Sequence, residues 1–486
     1  MLSRKRIISV LVCLSILLFL FLSASSIPGL SHFVLDNGLE LFVVENHSVP
    51  LVTIQIAFRA GAIGQDATNC GLFHLHEHML FKGNSKFKTQ NEFTAAMNKL
   101  GASSWNGGTS SEYVDYYFTI PSYNLEQGLE FWAYAVKAPL FNEEEIKNER
   151  EVVANEVQGY LTTPSWIFNA ALDSRMFYKY PWRRDVSGSI DIIKNATSEQ
   201  LWNIHNRFYI PNNTCLFVGG DVNPKQVSEL VKKYYGDWKK GEDPWKKPLD
   251  PHPALKDNVN FVYPDSTFYK DYGWIELAFR GPDVLADTAS TYAVDTFLFL
   301  VSSSNSKFRK NIYDAAPILL DKDLMDISYP TQRDGGVISF IAYINCGVDN
   351  ILVEVEKLRQ VVIDEFTKVA TDPNYFTKEE LELAKQKLSD NNIWTMETPS
   401  NFIDTISFWW STATTDYFFG YEDNCKKVKI EDIQSWIKKY IIGKPAVLGL
   451  RLHSNKMKDD TYMQDNLQKL NYEIVTADNA FWWIKK

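Results

Sequence analysis

The sequence predicts an α+β fold of two homologous domains, each a mainly antiparallel sheet packed against helices. Three observations carry that reading. First, four prolines and alternating charge break all periodicity in KKGEDPWKKPLDPHPALKDN, residues 239–258. Proline at that density denies both helix and ladder, so residues 241–258 read as a linker between a domain over 27–240 and a second over 259–486. Second, the two parts resemble one another. FNEEEIKNEREVVANEVQGY from Phe141 and FTKEELELAKQKLSDNN from Phe376 both start helices. SEQLWNIHNRFYIPNNTCLFVGGDV and IEDIQSWIKKYIIGKPAVLGLRLH both run helix, turn, strand, and the step from Tyr209 to Tyr440 nearly equals that from Phe141 to Phe376. Such self-similarity at a fixed offset marks a duplicated unit. Third, strands precede runs of helix in each part, which points to helices covering one side of a sheet.

Taken in chain order, residues 1–26 have a basic start, an apolar run from Ile7 to Leu22 and the small tail Ser23, Ala24, Ser25, Ser26. This is the pattern of a secretory signal peptide, with an uncleaved membrane anchor as the alternative; either way the body is exported, to the periplasm or beyond. The remaining chain has the composition of globular domains, 45 % hydrophobic and 23 % charged, and its 486 residues leave room for two cores. Loss of Arg4, Lys5 and Arg6 makes it more acidic than the −10 of the whole chain, which excludes nucleic acid as a partner. Cys70, Cys215, Cys346 and Cys425 are scattered without short spacing and read as isolated buried thiols; with no CxxC there is no zinc ribbon or redox motif. LELFVVEN from Leu39 and LVTIQIAF from Leu51 are apolar runs on either side of Pro50, which predicts a hairpin, and VDYYFTIP from Val114 is a further strand. Thr377 with Glu380 has capping-box spacing, and Asn142 with Glu145 a looser version of it.

The chemistry concentrates in HLHEHMLFKG, residues 74–83, which holds three of the eight histidines. On a helix, His74 and His78 stand one turn apart on one face with Glu77 on the flank, so both imidazoles can reach one zinc ion. The order His-x-x-Glu-His is the inverted form of the zincin motif; read from His76, the usual HExxH fails at Leu80. His76 then points away, as a surface or outer residue. A histidine-rich turn without metal is the bland alternative, and two histidines alone are an incomplete site. Glu149 and Glu156 offer a completing carboxylate. They are seven apart and share a helix face, yet stand about 10 Å apart along the axis, so one binds while the other supports. Spacing does not choose between them, and NEEEIKNERE is also what a solvated acidic first turn looks like.

HLHEHMLFKG followed further along the chain by Glu156, inside EREVVANE, resembles the pitrilysin and mitochondrial processing peptidase family of inverted-zincin metallopeptidases. GASSWNGGTSSEYVDYYFTIP from Gly101, YIPNNTCLFVGGDV from Tyr209 and the duplicated layout fit the same family. The resemblance implies His74, His78 and Glu156 as ligands of one Zn2+ per chain, Glu77 as general base, and Glu149 as a catalytic glutamate near the metal that does not bind it. It implies a zinc endopeptidase acting on peptides or unfolded segments, held in extended form inside a chamber, with Asn106, Gly107 and Gly108 as substrate contacts on an edge strand. The step from Phe141 to Phe376 carries Glu149 and Glu156 onto Ala384 and Asn391, and His453 is the one histidine beyond His252, so the second domain is metal-free scaffold. Relatives of this kind bring an arginine and a tyrosine to the substrate carbonyl from the non-catalytic half. Here Arg309 and Tyr313 stand four apart without the family's usual surrounding sequence. That departure predicts a heterodimer with a homologous non-catalytic subunit, ahead of a homodimer. A catalytically silent structural subunit and a zinc-binding protein without hydrolysis are the alternatives; the intact His74, Glu77, His78 and Glu156 set argues against the first, and Glu77 against the second.

Overall fold

The computed structural model describes residues 27–484, so the signal-peptide or anchor reading of 1–26 lies outside the described residues. Among the described residues no helix is long and apolar enough to cross a membrane. Two six-stranded sheets organise the chain. The first is built from β1 (Leu30–Val34), β2 (Glu40–Glu45), β3 (Leu51–Phe58), β4 (Ser104–Thr109), β5 (Val114–Pro121) and β6 (Thr214–Gly220), in the order β1-β2-β6-β3-β5-β4. The second is built from β7 (Val259–Asp265), β8 (Tyr272–Arg280), β9 (Met325–Ser328), β10 (Val337–Asn345), β11 (Ala446–His453) and β12 (Tyr472–Ile474), in the order β12-β7-β11-β8-β10-β9. From β2 and from β7 onward the two orders coincide. Only the outermost strands differ: β1 precedes β2 and pairs antiparallel, whereas β12 arrives from the C-terminal end and pairs parallel with β7. Most pairings are antiparallel, the exceptions being β2–β6, β7–β11 and β7–β12. The two-domain α+β architecture read from the sequence is the one observed.

The predicted hairpin between β2 and β3 does not form. β6 lies between them, parallel to β2 and antiparallel to β3. The reason is visible in β6 itself, TCLFVGG, whose seven residues are all buried. A strand apolar on both faces belongs in the middle of a sheet, and it displaces the local pairing.

Each sheet packs one face on helices of its own part. Leu41, Ile54, Val218 and Phe118 meet Leu75 and Met79 of α1 (Leu72–Leu80), Leu129 and Trp132 of α2 (Leu125–Lys137) and Val153 of α3 (Glu143–Tyr160). In the second part, Leu277, Phe340 and Leu450 meet their own helices through Phe297, Leu358 and Trp436. The opposite face of each sheet is covered by exchange. The helix α4 (Pro164–Met176) leaves the first part and lays Ile167, Phe168, Ala171 and Leu172 against Phe261, Ala278 and Val447 of the second sheet. Reciprocally, α5 (Pro399–Thr412) lays Phe402, Ile403, Ile406 and Trp410 against Phe42, Ala57 and Phe217 of the first. Each large apolar side chain among them, fully buried, contributes roughly 1.5–3 kcal/mol. The parts before and after the linker are therefore not the packed units: each unit borrows one helix from the other. Residues 241–258 contain no helix or strand, and His252 within them is buried, its Nε2 3.1 Å from Asp334 Oδ2.

Glycines at matching places make room for the exchanged helices. A Cβ on Gly219 of β6 would stand 2.9 Å from Ile403 Cγ2, and one on Gly449 of β11 would stand 2.7 Å from Phe168 Cζ. Gly449→Ala is expected to destabilise the chain by about 1–3 kcal/mol through overpacking, read as a lower urea midpoint. Gly159→Ala, on an exposed helix position with nothing within 4 Å of the new Cβ, is expected to raise it instead. Equal midpoints for Gly449→Ala and the wild type would refute this account of the glycine.

Candidate metal centre

The helix α1 starts on Gly71, whose φ of +95° and close approach to Gly188 exclude a side chain: a Cβ there would stand 3.1 Å from Gly188 Cα. Leu72, Phe73, Leu75, Met79 and Leu80 then anchor the helix in the core. What remains on its other face is His74, Glu77 and His78, whose ligand atoms all lie within 4.8 Å of one another. The two imidazole rings stand nearly perpendicular at 87°.

The helix α3 is held across them by Ile146, Val153, Ala154 and Val157, and it starts on Asn142, whose Oδ1 accepts from Glu144 N. Two of its glutamates, Glu149 and Glu156, do different things. Glu149 is buried; its Oε1 lies 2.9 Å from His78 Nδ1 and its Oε2 2.6 Å from Lys82 Nζ. Glu156, two turns on and 39 % exposed, turns Oε2 to the far nitrogens of both rings, 3.8 Å from His74 Nε2 and 3.7 Å from His78 Nε2. A zinc ion bound tetrahedrally at about 2.0–2.1 Å keeps its donors about 3.4 Å apart. Both Glu156 distances are close to that spacing, and the chemistry of His74, His78 and Glu156 fits a single zinc. Glu149 instead occupies the outer position, in which a carboxylate orients a histidine through its other nitrogen.

Electrostatics agree with that division. Burial, reinforced by His78, pulls His74 down to about 4, so its imidazole is neutral at pH 7 and free to donate a lone pair. His78 is held above its ordinary value because the hydrogen bond with Glu149 and the surrounding carboxylates outweigh burial. The same bond and that with Lys82 overcome burial to hold Glu149 below the usual carboxylate range. Burial pushes Glu77 up to about 7, against His78 and a hydrogen bond from Thr109 Oγ1 at 3.4 Å.

Thr109 ends β4, the last strand of its sheet, which runs beside the motif with one edge unpaired among the described residues. Of the predicted contacts, Asn106 is exposed on that strand opposite Tyr117. Gly107 has a packing reason of its own, since a Cβ there would stand 2.8 Å from Tyr116 Cδ1 and 2.9 Å from Phe81 Cζ. Gly108 has open space apart from Asp115 Oδ1 at 3.6 Å.

His76 departs from expectation. It is completely buried, with Nε2 3.3 Å from His205 Nδ1 and its ring 4.1 Å from that of Tyr209, because α1 is covered on its back by the core. In the second part, Ala384 is packed in the core, and Arg309 is spent on its own surroundings: it donates to the carbonyls of Val301 and Met325 and to Asp326 Oδ1. Cys70, Cys215, Cys346 and Cys425 are buried, with no disulfide among the described residues. Three residues around the centre escaped the sequence reading, namely Lys82, Thr109 and Tyr160. Lys82 stands four after His78 and Tyr160 four after Glu156, so helical spacing could have found both.

An inverted His-x-x-Glu-His helix crossed by a glutamate helix, on a duplicated sheet-and-helix fold, defines the class of inverted zincins. The chain belongs to the insulinase family, peptidase family M16: residues 41–189 match the family's peptidase domain and residues 195–388 its inactive domain. The chain is similar to the zinc protease PqqE of Helicobacter pylori, 26 % identical over 263 residues, which are 53 % of this chain and 58 % of that protein. It thus spans little more than half the length of that relative. The fold matches the crystal structure of a protease from Helicobacter pylori with a TM-score of 0.74 at 21 % identity, over 87 % of this chain and all of that one. It also matches the first half of the periplasmic protease PqqL from Escherichia coli with a TM-score of 0.72 at 17 % identity, over 91 % of this chain and 96 % of that one.

Proposed function

We propose that the protein is an exported zinc endopeptidase that hydrolyses peptides or unfolded segments bound in extended form. One observation carries this: His74 Nε2, His78 Nε2 and Glu156 Oε2 converge from two helices with Glu77 beside them. Zinc in that donor set supplies a Lewis acid that activates water near neutral pH. Glu77, beside the two imidazoles, accepts the proton of the attacking water and returns it to the leaving amine. Glu149 and Lys82 keep the His78 ring turned so that Nε2 faces the centre. The free edge of β4 pairs with the main chain of the substrate, which gives affinity with little demand on side chains, and Asn106 and Gly108 lie on that edge.

The chain does not complete the site alone. Arg309 is committed within its own part, so the donor that steadies charge on the substrate carbonyl comes from a second, homologous and non-catalytic subunit that closes a chamber over the centre. Export accords with the apolar leader at Ile7–Leu22 and with the periplasmic location stated for the PqqL relative.

The test is zinc content by mass spectrometry together with cleavage of a quenched peptide, on the full chain with and without a candidate subunit. The expected result is one zinc per chain, loss of cleavage on chelation, recovery on adding zinc, and a large gain with the subunit. A zinc-loaded pair that cleaves no peptide would overturn the reading.

A further inference from the structure

We propose that Tyr160, braced by Trp166, is a positioning residue that fixes the Glu156 carboxylate with one oxygen turned to the two imidazoles. The inference rests on the reading of His74, His78 and Glu156 as a zinc centre and adds the element that holds its most exposed member in place.

The need for such an element follows from burial. The Glu149 side chain is 6 % exposed and locked between His78 and Lys82, whereas that of Glu156 is 39 % exposed. An exposed glutamate samples many rotamers, and ordering one costs up to about 2 kcal/mol. No lysine or arginine among the described residues forms an ion pair with Glu156. Among the described residues its ion-pair and hydrogen-bond partners are the two imidazoles on the Oε2 side and Tyr160 on the other, whose hydroxyl donates to Oε1. Tyr160 stands four residues on, over the same helix face. With Oε1 occupied by the phenol, Oε2 alone remains for the centre.

Tyr160 lies in the last turn of α3, where a helix would fray, and three features prevent that. Thr162 Oγ1 and Thr163 Oγ1 donate to the carbonyl of Gly159 at 2.9 Å and 3.0 Å. Thr163 N donates to the carbonyl of Tyr160 at 3.1 Å, and Pro164 begins α4 directly afterwards. The corner returns the chain so that the Trp166 ring lies 4.1 Å from the Tyr160 ring at an interplanar angle of 20°. A stacked pair of this kind holds the phenol plane without any contact to the ligand atoms themselves. The corner that begins the exchanged helix is thus also the brace of the centre.

The experiment measures zinc affinity of the full-length chain by competition with a chromogenic chelator, alongside the melting temperature of the metal-free chain. Tyr160→Phe keeps the ring and its stack and removes only the hydroxyl. It should weaken zinc binding by about 10- to 100-fold, the loss typical of an outer partner, with the metal-free melting temperature unchanged. Trp166→Ala, at a position 40 % exposed, leaves Tyr160 intact and should move the affinity in the same direction by less. Wild-type affinity in either variant, in a chain that does bind zinc, overturns the clamp alone. A wild-type chain that binds no zinc overturns the centre on which the clamp rests.

Discussion

Replacing Glu77 by glutamine should lower peptide cleavage by about 10²–10⁴-fold, the contribution usual for a positioned general base, while zinc content stays at the wild-type level. The amide keeps the shape and the hydrogen bond from Thr109 Oγ1 but cannot take a proton. The same variant should be more stable than the wild type in its metal-free form, because burial raises the Glu77 carboxyl from 4.5 to about 7. The sign follows from proton linkage. Between those two values the folded chain holds a proton that the unfolded chain has released, so wild-type stability falls as pH rises through that window. Glutamine has no such dependence. Its advantage should be absent below pH 4.5, grow up to about pH 7 and then level off, as read from urea midpoints at several pH values. Undiminished cleavage in Glu77→Gln would remove Glu77 from the mechanism, and an advantage that shrinks with rising pH would contradict its buried environment.

The second large effect separates Glu149 from Glu156 on α3. Glu156→Gln should cost zinc affinity well beyond the roughly 10- to 100-fold that an outer partner costs, because it removes the charged oxygen that faces both Nε2 atoms. Glu149→Gln should stay within that smaller range, since the amide oxygen can still accept from His78 Nδ1 while the charge opposite Lys82 is lost. Chelator competition on both variants, with wild type beside them, reads the difference. A reversed order of the two losses would exchange their roles.

The fold class was legible because it rests on repetition. The helix beginning after Phe376 repeats the one after Phe141, and the strand orders of the two sheets coincide from β2 and β7 onward. The motif was legible too, since His74, Glu77 and His78 need only helical spacing to share a face. Glu149 and Glu156 were not separable, because seven residues return to the same face; the difference lies in how far α3 slides past α1, which is a matter of packing. His76 was misplaced for a related reason: periodicity tells which residues share a face, not how much core covers the back of the helix. The hairpin failed because β6 arrives from far along the chain, after every other strand of its sheet, and outcompetes a neighbour. The exchange of α4 and α5 was invisible because an apolar helical stripe does not name the sheet it will cover.

That exchange bears on how the molecule is made. While the first half leaves the ribosome, Phe42, Ala57 and Phe217 have no cover until Pro399–Thr412 has been synthesised, long after Thr214–Gly220 has completed their sheet. Until then a nascent chain carries a bare apolar surface of the sort chaperones bind.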